Sequence, residues 1–404
     1  MKKTFKKYKK KKDKFKKKSK KKQNLTQENT KNTETTIKHI YIKNKAGFGN
    51  KVFDLIFAIY LYNLYNQQNY QNKKCQIHYV LVKSLHDKPR DPTLNTIFPK
   101  SNTKINYITE REYENITYNK ENKINKLYND NPLLQDLKTF PKYEELHHYN
   151  KIDNNFRLVY EMYKTFSNSD KSIFKTINNS LITQTDRLKL SRVRSSKQKK
   201  LKPQISKSHT SKSHSSKTNT NINTILTNIK KIDYVAIHIR YGDKFYHLLK
   251  DIDTPQFDDF LIYTPEYYIN MIKKYLNTTM KIIILTDSIQ LVKEFIMNNT
   301  ELKNHENIIL LDTHWLTSFY ILLHAKEIVM SCSTFSMCAS YFNENAKCHI
   351  VLYHDDHDDH DDHDDTVKKN HMAEEYAIAP NWIISHNKKY ILNYNKDVLL
   401  SMVD

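Results

Sequence analysis

From residue 226 onward the chain alternates between two apolar patterns. Short runs of Val, Ile and Leu fit strands at 234–239, 281–286, 307–311, 327–331 and 348–353. Between them, apolar residues recur at helical spacing over 265–276, 289–297, 315–325 and 334–342. Near-continuous apolar strands separated by helices of this length predict a parallel sheet covered on both faces. Ligands of such sheets bind at the carboxyl ends of the strands. Closer to the N-terminus the pattern is fainter: a strand at 37–42, a tight turn over 47–50, a helix over 52–65 and a strand at 75–82. Val52, Leu55, Ile56, Ile59 and Tyr62 make that helix's apolar stripe. Strand, turn, helix and strand in this order begin a βαβ unit. Residues 102–185 are polar and Tyr-rich, and predict only an irregular helical region.

Composition adds three low-complexity tracts to this plan. Residues 2–22, opening on Lys2 and closing on Lys22, hold 15 lysines and one Asp, which supplies +14 of the formal +22. Such a run repels itself and buries nothing, so residues 1–36 are expected to be a disordered tail. Contact with nucleic acid or an anionic surface is its functional reading, and a solvated tail its plain one. Residues 187–225 are Ser, Lys, Thr and His with little apolar content, which predicts a flexible linker. Four His-Asp-Asp copies fill 354–365. They carry metal-ligand chemistry, but a perfect triplet after a strand reads as an expanded surface loop. Asp251 and Asp253 mimic a metal-binding D-x-D in an irregular stretch. The expected domains are then 37–186 and 226–404.

No run of 18 apolar residues predicts a membrane span, and the N-terminus lacks the apolar core of a secretory signal. Cys75, Cys332, Cys338 and Cys348 show no CxxC spacing and are read as reduced, mostly buried thiols in a cytoplasmic protein. Glycine is the sharpest compositional signal. A chain of 404 residues has 3, where average usage of about 7% gives roughly 28. Lys, Asn, Ile and Tyr are abundant, as A/T-rich codons would favour. Gly47, Gly49 and Gly242 therefore mark two loops where a positive φ or a close approach is expected.

The candidate chemistry falls at predicted strand ends. His238 and Arg240 share one side of a strand and lead into Gly242 and Asp243. Arg240 offers a planar fork to a diphosphate, and Gly242 a close turn; the plain alternative is Arg240 in a salt bridge and His238 packed. Ser331 to Ser336 joins a strand to a helix, where hydroxyls and free N–H groups either bind an anion or cap the helix. Asp287 follows another strand and serves either a ribose or base, or a helix cap. Gly47-Phe48-Gly49-Asn50 lacks the third glycine of a dinucleotide fingerprint.

Together these elements resemble the fucosyltransferase superfamily, most closely the α-1,2-fucosyltransferases of glycosyltransferase family 11. The family's G-x-G-N turn matches Gly47 to Asn50, and its H-x-R-x-x-D box matches His238, Arg240 and Asp243. Its T/S-D-D/S box matches Thr286 to Ser288, and its D-x(n)-S-x-S-T-F-S segment matches Asp312 and Ser331 to Ser336. Ala379-Pro380-Asn381-Trp382 resembles the family's C-terminal Pro/Trp element. Tyr241 stands where the family often has a second Arg, and Met337 and Cys338 where it has aromatics.

The resemblance implies an α/β, GT-B-like fold, with two Rossmann-like domains facing a cleft and the acceptor on the N-terminal side. It also implies metal-independent, inverting transfer of fucose from GDP-fucose to a glycan hydroxyl, with no cofactor. Arg240, Gly242 and the hydroxyl and amide groups of Ser333, Thr334 and Phe335 would then hold the diphosphate. His238 and Asp287 would contact the guanosine, and Gly47 and Gly49 would shape the cleft. Asp243 and Asn50 are the candidates for a general base. A related transferase with another nucleotide sugar, or a catalytically silent nucleic-acid-associated protein, are the alternatives.

Overall fold

The computed structural model describes residues 38–43, 47–66, 75–82, 91–118, 159–184, 226–248, 262–351, 379–392 and 396–402, with single positions inside these spans left out, Asp243 among them. The Lys-rich tail, the 187–225 tract, Asp251, Asp253 and the His-Asp-Asp repeat lie outside the described residues.

Among the described residues there are two sheets, and every strand pair in them is parallel. The first, in order β1-β2-β3, is built from β1 (Lys38–Lys43), β2 (Cys75–Leu81) and β3 (Ile105–Thr109). Helix α1 (Phe48–Asn66) crosses from β1 to β2; the short α2 (Leu94–Ile97) precedes β3, and α3 (Glu110–Tyr118) follows it. Helix α4 (Asn168–Lys175) completes this part. Its N-cap Ser167 accepts from the Asp170 N–H.

The second sheet has the order β6-β5-β4-β7-β8-β9. Its strands are β4 (Tyr234–Ile239), β5 (Lys281–Thr286), β6 (Ile308–Leu311), β7 (Glu327–Val329), β8 (Lys347–Val351) and β9 (Trp382–Ser385). Helices α5 (Pro265–Leu276), α6 (Ile289–Phe295), α7 (Trp315–Leu323) and α8 (Thr334–Phe342) lie between them, and α9 (Lys396–Ser401) follows β9. Read from β4, the sequence runs outward through β5 and β6, then returns to the other side of β4 for β7, β8 and β9. That is the doubly wound order of dinucleotide-binding sheets, with its switch point between β4 and β7. All six residues of β4 are buried, as a central strand covered on both faces requires.

The two sheets share one core. Apolar residues of α1 (Val52, Leu55, Ile56, Ile59) and of α8 (Phe335, Met337, Cys338, Ala339, Tyr341, Phe342) belong to a single buried cluster. Helix α8 is buried on every face, Ser336 and Ser340 included. Each of those hydroxyls donates back to a backbone carbonyl one turn earlier, which removes the penalty of burying it. Lys171 and Lys175 of α4 pair with Glu344, just past α8, at 2.7 and 2.9 Å.

Two expectations are corrected. The turn expected over 47–50 is the start of a helix: α1 begins at Phe48, and the Lys51 N–H already bonds the Gly47 carbonyl at 3.1 Å. The stretch expected to be only irregularly helical contains a strand, β3, as well as the helix α4. Three free thiols are described, Cys338 and Cys348 buried and Cys332 half-buried.

Candidate active site at the switch point

His238, Arg240, Gly242, Asp287 and the Ser331–Ser336 segment gather at the carboxyl ends of β4, β5 and β7. His238, near the end of β4, is 6% exposed. Its Nδ1 lies 2.8 Å from the Ser331 hydroxyl beyond β7, and its ring is 5.1 Å from that of Phe335. Burial, then the charges of Arg240 and Lys244, pushes its pKa down to about 3, so the imidazole is neutral. His238 thus ties β4 to β7 across the switch point.

Arg240 follows directly. Its Nε lies 2.9 Å from Oδ2 of Asp287, both side chains being about 30% exposed. Oδ1 of Asp287 accepts the backbone N–H groups of Tyr241 at 3.1 Å and Gly242 at 3.0 Å. Asp287 therefore faces the loop after β4. The N-cap of α6 is Ser288, with no side-chain cap bond. A Cβ on Gly242 would lie 2.6 Å from Oδ2 and 2.8 Å from Cγ of Asp287. Neither this glycine nor the others has a positive φ, so space, and not backbone conformation, sets the requirement. Tyr241, standing where a second Arg was expected, is buried and donates its hydroxyl to the Tyr263 carbonyl at 3.1 Å.

The Ser331–Ser336 segment is a compact cap for α8. The Ser333 N–H bonds the Ser331 carbonyl at 2.8 Å, and the Phe335 N–H bonds the Ser333 hydroxyl at 3.3 Å. Those two amides, expected to hold an anion, serve the cap. Gly49 of α1 packs on the start of this helix: a Cβ there would meet the Phe335 nitrogen, the Thr334 carbonyl carbon and Thr334 Oγ1, all at 2.6 Å. Thr334 is half-buried, and no hydrogen bond joins its hydroxyl to another described residue. Its Oγ1 lies at the contact with α1, 2.6 Å from where a Cβ on Gly49 would sit, and unlike the Ser333 hydroxyl it takes no part in the cap. Asn50 is half-buried in the first turn of α1. A Cβ on Gly47 would meet nothing within 4 Å.

Two features were not anticipated. Lys244, one helical turn beyond Arg240, donates from Nζ to the Cys332 carbonyl at 2.5 Å and brings a second cation to the site. Its position after the H-x-R-x-x-D box was the available signal. The other is a polar clamp beside α7. The Leu316 N–H bonds His314 Nδ1 at 3.2 Å, so the ring proton sits on Nε2, 3.3 Å from Oδ1 of Asp91. Trp315 Nε1 donates to Oδ2 of the same carboxylate at 3.3 Å, and its ring packs 4.5 Å from Phe48. Asp91 and His314 are 223 positions apart, so nothing local announced the contact. The Pro/Trp element is structural: Asn381 Nδ2 donates to the Ala346 carbonyl at 2.7 Å, and Trp382 stacks on Tyr341 at 5.6 Å.

Among the described residues no group of three or more His, Cys, Asp and Glu is arranged to hold a metal ion, and no helix is long and apolar enough to cross a membrane.

The family model "Glycosyl transferase family 11" matches residues 189–375, a stretch that holds β4 to β8 and the whole His238–Arg240–Asp287–Ser331 group. The resemblance read from the motifs is therefore present there, and it supports a glycosyltransferase. No curated protein matches. Among solved structures, a GDP complex of POFUT1 is similar at 13% identity and a TM-score of 0.37, covering 76% of this chain and 95% of that one. NodZ alpha-1,6-fucosyltransferase crystallised with GDP is similar at 9% identity and 0.36, covering 77% and 93%. E. coli heptosyltransferase WaaC with ADP-2-deoxy-2-fluoro heptose gives 10% identity and 0.35, covering 90% and 98%.

Proposed function

We propose that this protein is a glycosyltransferase that takes fucose from GDP-fucose and passes it, with inversion, to a hydroxyl of a glycan. The observation that carries this reading is the placement of Arg240 and Thr334 on the two sides of the β4/β7 switch point, within the segment matched by the family. A nucleoside diphosphate leaving group gathers negative charge as the glycosidic bond breaks. In the absence of a catalytic metal, that charge is met by a positioned guanidinium, the Lys244 ammonium and the positive end of α8. The neutral His238 lies behind them, bridging β4 to β7. A neutral ring packed on Ser331 and Phe335 orders the base-side wall and adds no competing charge. Asn50, in the first turn of α1, is the candidate for orienting the acceptor, together with Asp243. The glycan acceptor would approach from the side of α1.

The test is a thermal-shift panel of GDP, UDP, ADP and GDP-fucose on the full chain, with and without chelator, followed by transfer assays on Arg240→Ala. Stabilisation by GDP and GDP-fucose irrespective of chelator is expected, and a loss of rate on the order of 10²–10³ in the variant. Stabilisation by UDP alone, or only with a metal, would overturn the assignment. So would normal transfer and normal GDP affinity in Arg240→Ala.

A further inference from the structure

We propose that Asp287 is a positioning residue for Arg240, and that Gly242 is glycine to admit the Asp287 carboxylate and not the nucleotide. The kinetic part of this inference rests on the nucleotide-sugar reading above. Its structural part does not.

Asp287 stands where two other uses are open to an acidic residue. At the end of the second strand of a doubly wound sheet, an acidic residue is well placed for a ribose, and in front of a helix it is a natural cap. Here the cap position belongs to Ser288. The carboxylate turns across to the neighbouring strand and spends both oxygens on the loop after β4. One oxygen gathers two consecutive backbone N–H groups, which fixes the path of the loop at Tyr241 and Gly242. The other sits on Nε of Arg240, which fixes the plane of the guanidinium. Loop and side chain are thus registered against one group, itself anchored to β5.

Gly242 makes this possible. The three atoms nearest its missing Cβ are all in the Asp287 carboxyl group, at 2.6, 2.8 and 3.3 Å. Any side chain at 242 would push the carboxylate off the loop, and Arg240 would lose its partner with it. An ion pair whose side chains are each about 30% exposed contributes little to stability. Orientation is a different matter, because displacing a charge-stabilising group by about 1 Å can cost 100-fold in rate.

A double-mutant cycle on the full chain tests this, with Gly242→Ala, Asp287→Ala and the double variant, and Asp287→Asn as the isosteric control. The first readout needs no nucleotide: the rate at which phenylglyoxal modifies Arg240, followed by peptide mapping. A several-fold rise is expected in Asp287→Asn and in Gly242→Ala, with melting temperatures near wild type. In the double variant the rate should equal that of Asp287→Ala. The second readout is kcat and KM for transfer from GDP-fucose. Each single variant should lose about 10- to 100-fold, chiefly in kcat. Adding Gly242→Ala to Asp287→Ala should then cost less than about twofold, because the group it would clash with is gone.

Three results overturn the proposal. Gly242→Ala as damaging without Asp287 as with it would mean that the glycine makes room for something else. Tighter GDP binding in Asp287→Asn would make the carboxylate a competitor of the diphosphate. An unchanged Arg240 modification rate in Asp287→Asn would deny the registration itself. A chain that binds no GDP and transfers no sugar would sink the function proposed above, while the modification rates would still decide this inference.

Discussion

Two of the three glycines are pressed against neighbours at the same 2.6 Å, yet they sit in mechanically different places. Gly49, in the first turn of α1, faces the backbone of Thr334 and Phe335 at the start of α8, together with the short Thr334 hydroxyl. Gly242, after β4, faces the tip of the Asp287 side chain. Backbone capped from both ends has nowhere to go, whereas a carboxylate can rotate away. The first contact therefore belongs to the junction that unites the two sheets, and the second to the adjustment of one cation. Equal distances conceal unequal stiffness, and stiffness decides whether a substitution is read as lost stability or lost function.

Gly49→Ala should break the junction outright. Helix propensity favours Ala over Gly by up to about 1 kcal/mol, but overpacking against fixed backbone costs roughly 3 kcal/mol. A net loss of about 2 kcal/mol or more in denaturant unfolding is expected. An unchanged midpoint would mean that α1 and α8 slide apart at no cost, and the contrast with Gly242 would collapse.

His238 probes the same junction from the opposite side through pH. Its folded pKa is pushed down to about 3, below an ordinary value of 6.5. Above pH 6.5 both folded and unfolded forms hold a neutral ring, so its contribution is intact. As pH falls from 6.5 towards 3, only the unfolded chain takes up the proton, and stability is lost. Roughly 2 kcal/mol of this loss should have accrued at pH 5. Comparing the stability of the wild type and His238→Gln from pH 7 to pH 5 isolates it: the variant should lose about that much less. Parallel curves would show that the ring is not held neutral at the switch point.

Thr334→Val keeps the branched shape of the side chain and puts a methyl where the hydroxyl lies against Gly49. GDP affinity should fall about tenfold, as for one hydrogen bond to a charged group, with stability within about 0.5 kcal/mol of wild type. A large loss of stability instead would place Thr334 with the junction and not with the site. The smallest effect is expected of Gly47→Ala. With nothing within 4 Å of the added methyl, stability should change by less than about 0.5 kcal/mol. A selective loss of nucleotide or acceptor binding there would show that the space beside Gly47 is filled by a ligand.

How far the sequence announced these features follows from how local each one is. Strands β4 and β5 and helices α5 and α8 have the bounds expected from their apolar patterns. A strand buried on both faces, or a helix buried all round, leaves a continuous signature, and the half-buried α5 leaves a Tyr/Ile stripe at helical spacing behind a Thr-Pro start. Strand β3 was missed: Ile105 and Ile108 are buried, but polar neighbours interrupt a run of only five residues. Helix α4 falls in the expected irregular helical region, but its bounds were not legible because only Ile173 and Phe174 supply its apolar face, beside a buried Asp170. The start of α1 was misplaced because glycines signal a turn, whereas Gly49 is there for what lies outside its own helix.

Within the site, sequence order placed His238, Arg240, Asp287 and the Ser331–Ser336 segment correctly at strand ends. It did not reveal which groups they spend on one another. The salt bridge of Arg240 and the packing of His238, weighed as the plain alternative, are both present, and each is a way of holding the site in shape. Periodicity cannot report a carboxylate crossing from β5 to the loop after β4, nor Lys244 resting on the Cys332 carbonyl.

The shared core also constrains how the chain reaches its native state. Gly49 and the Cys338 thiol that donates to its carbonyl are separated by 289 positions. At translation rates of about 5–20 residues per second, α1 emerges from the ribosome about 15–60 s before the helix that covers it. During that interval the apolar face meant for α8 has no native partner from its own chain. The first βαβ unit therefore completes its buried face only once α8, 289 positions further on at Cys338, has been made.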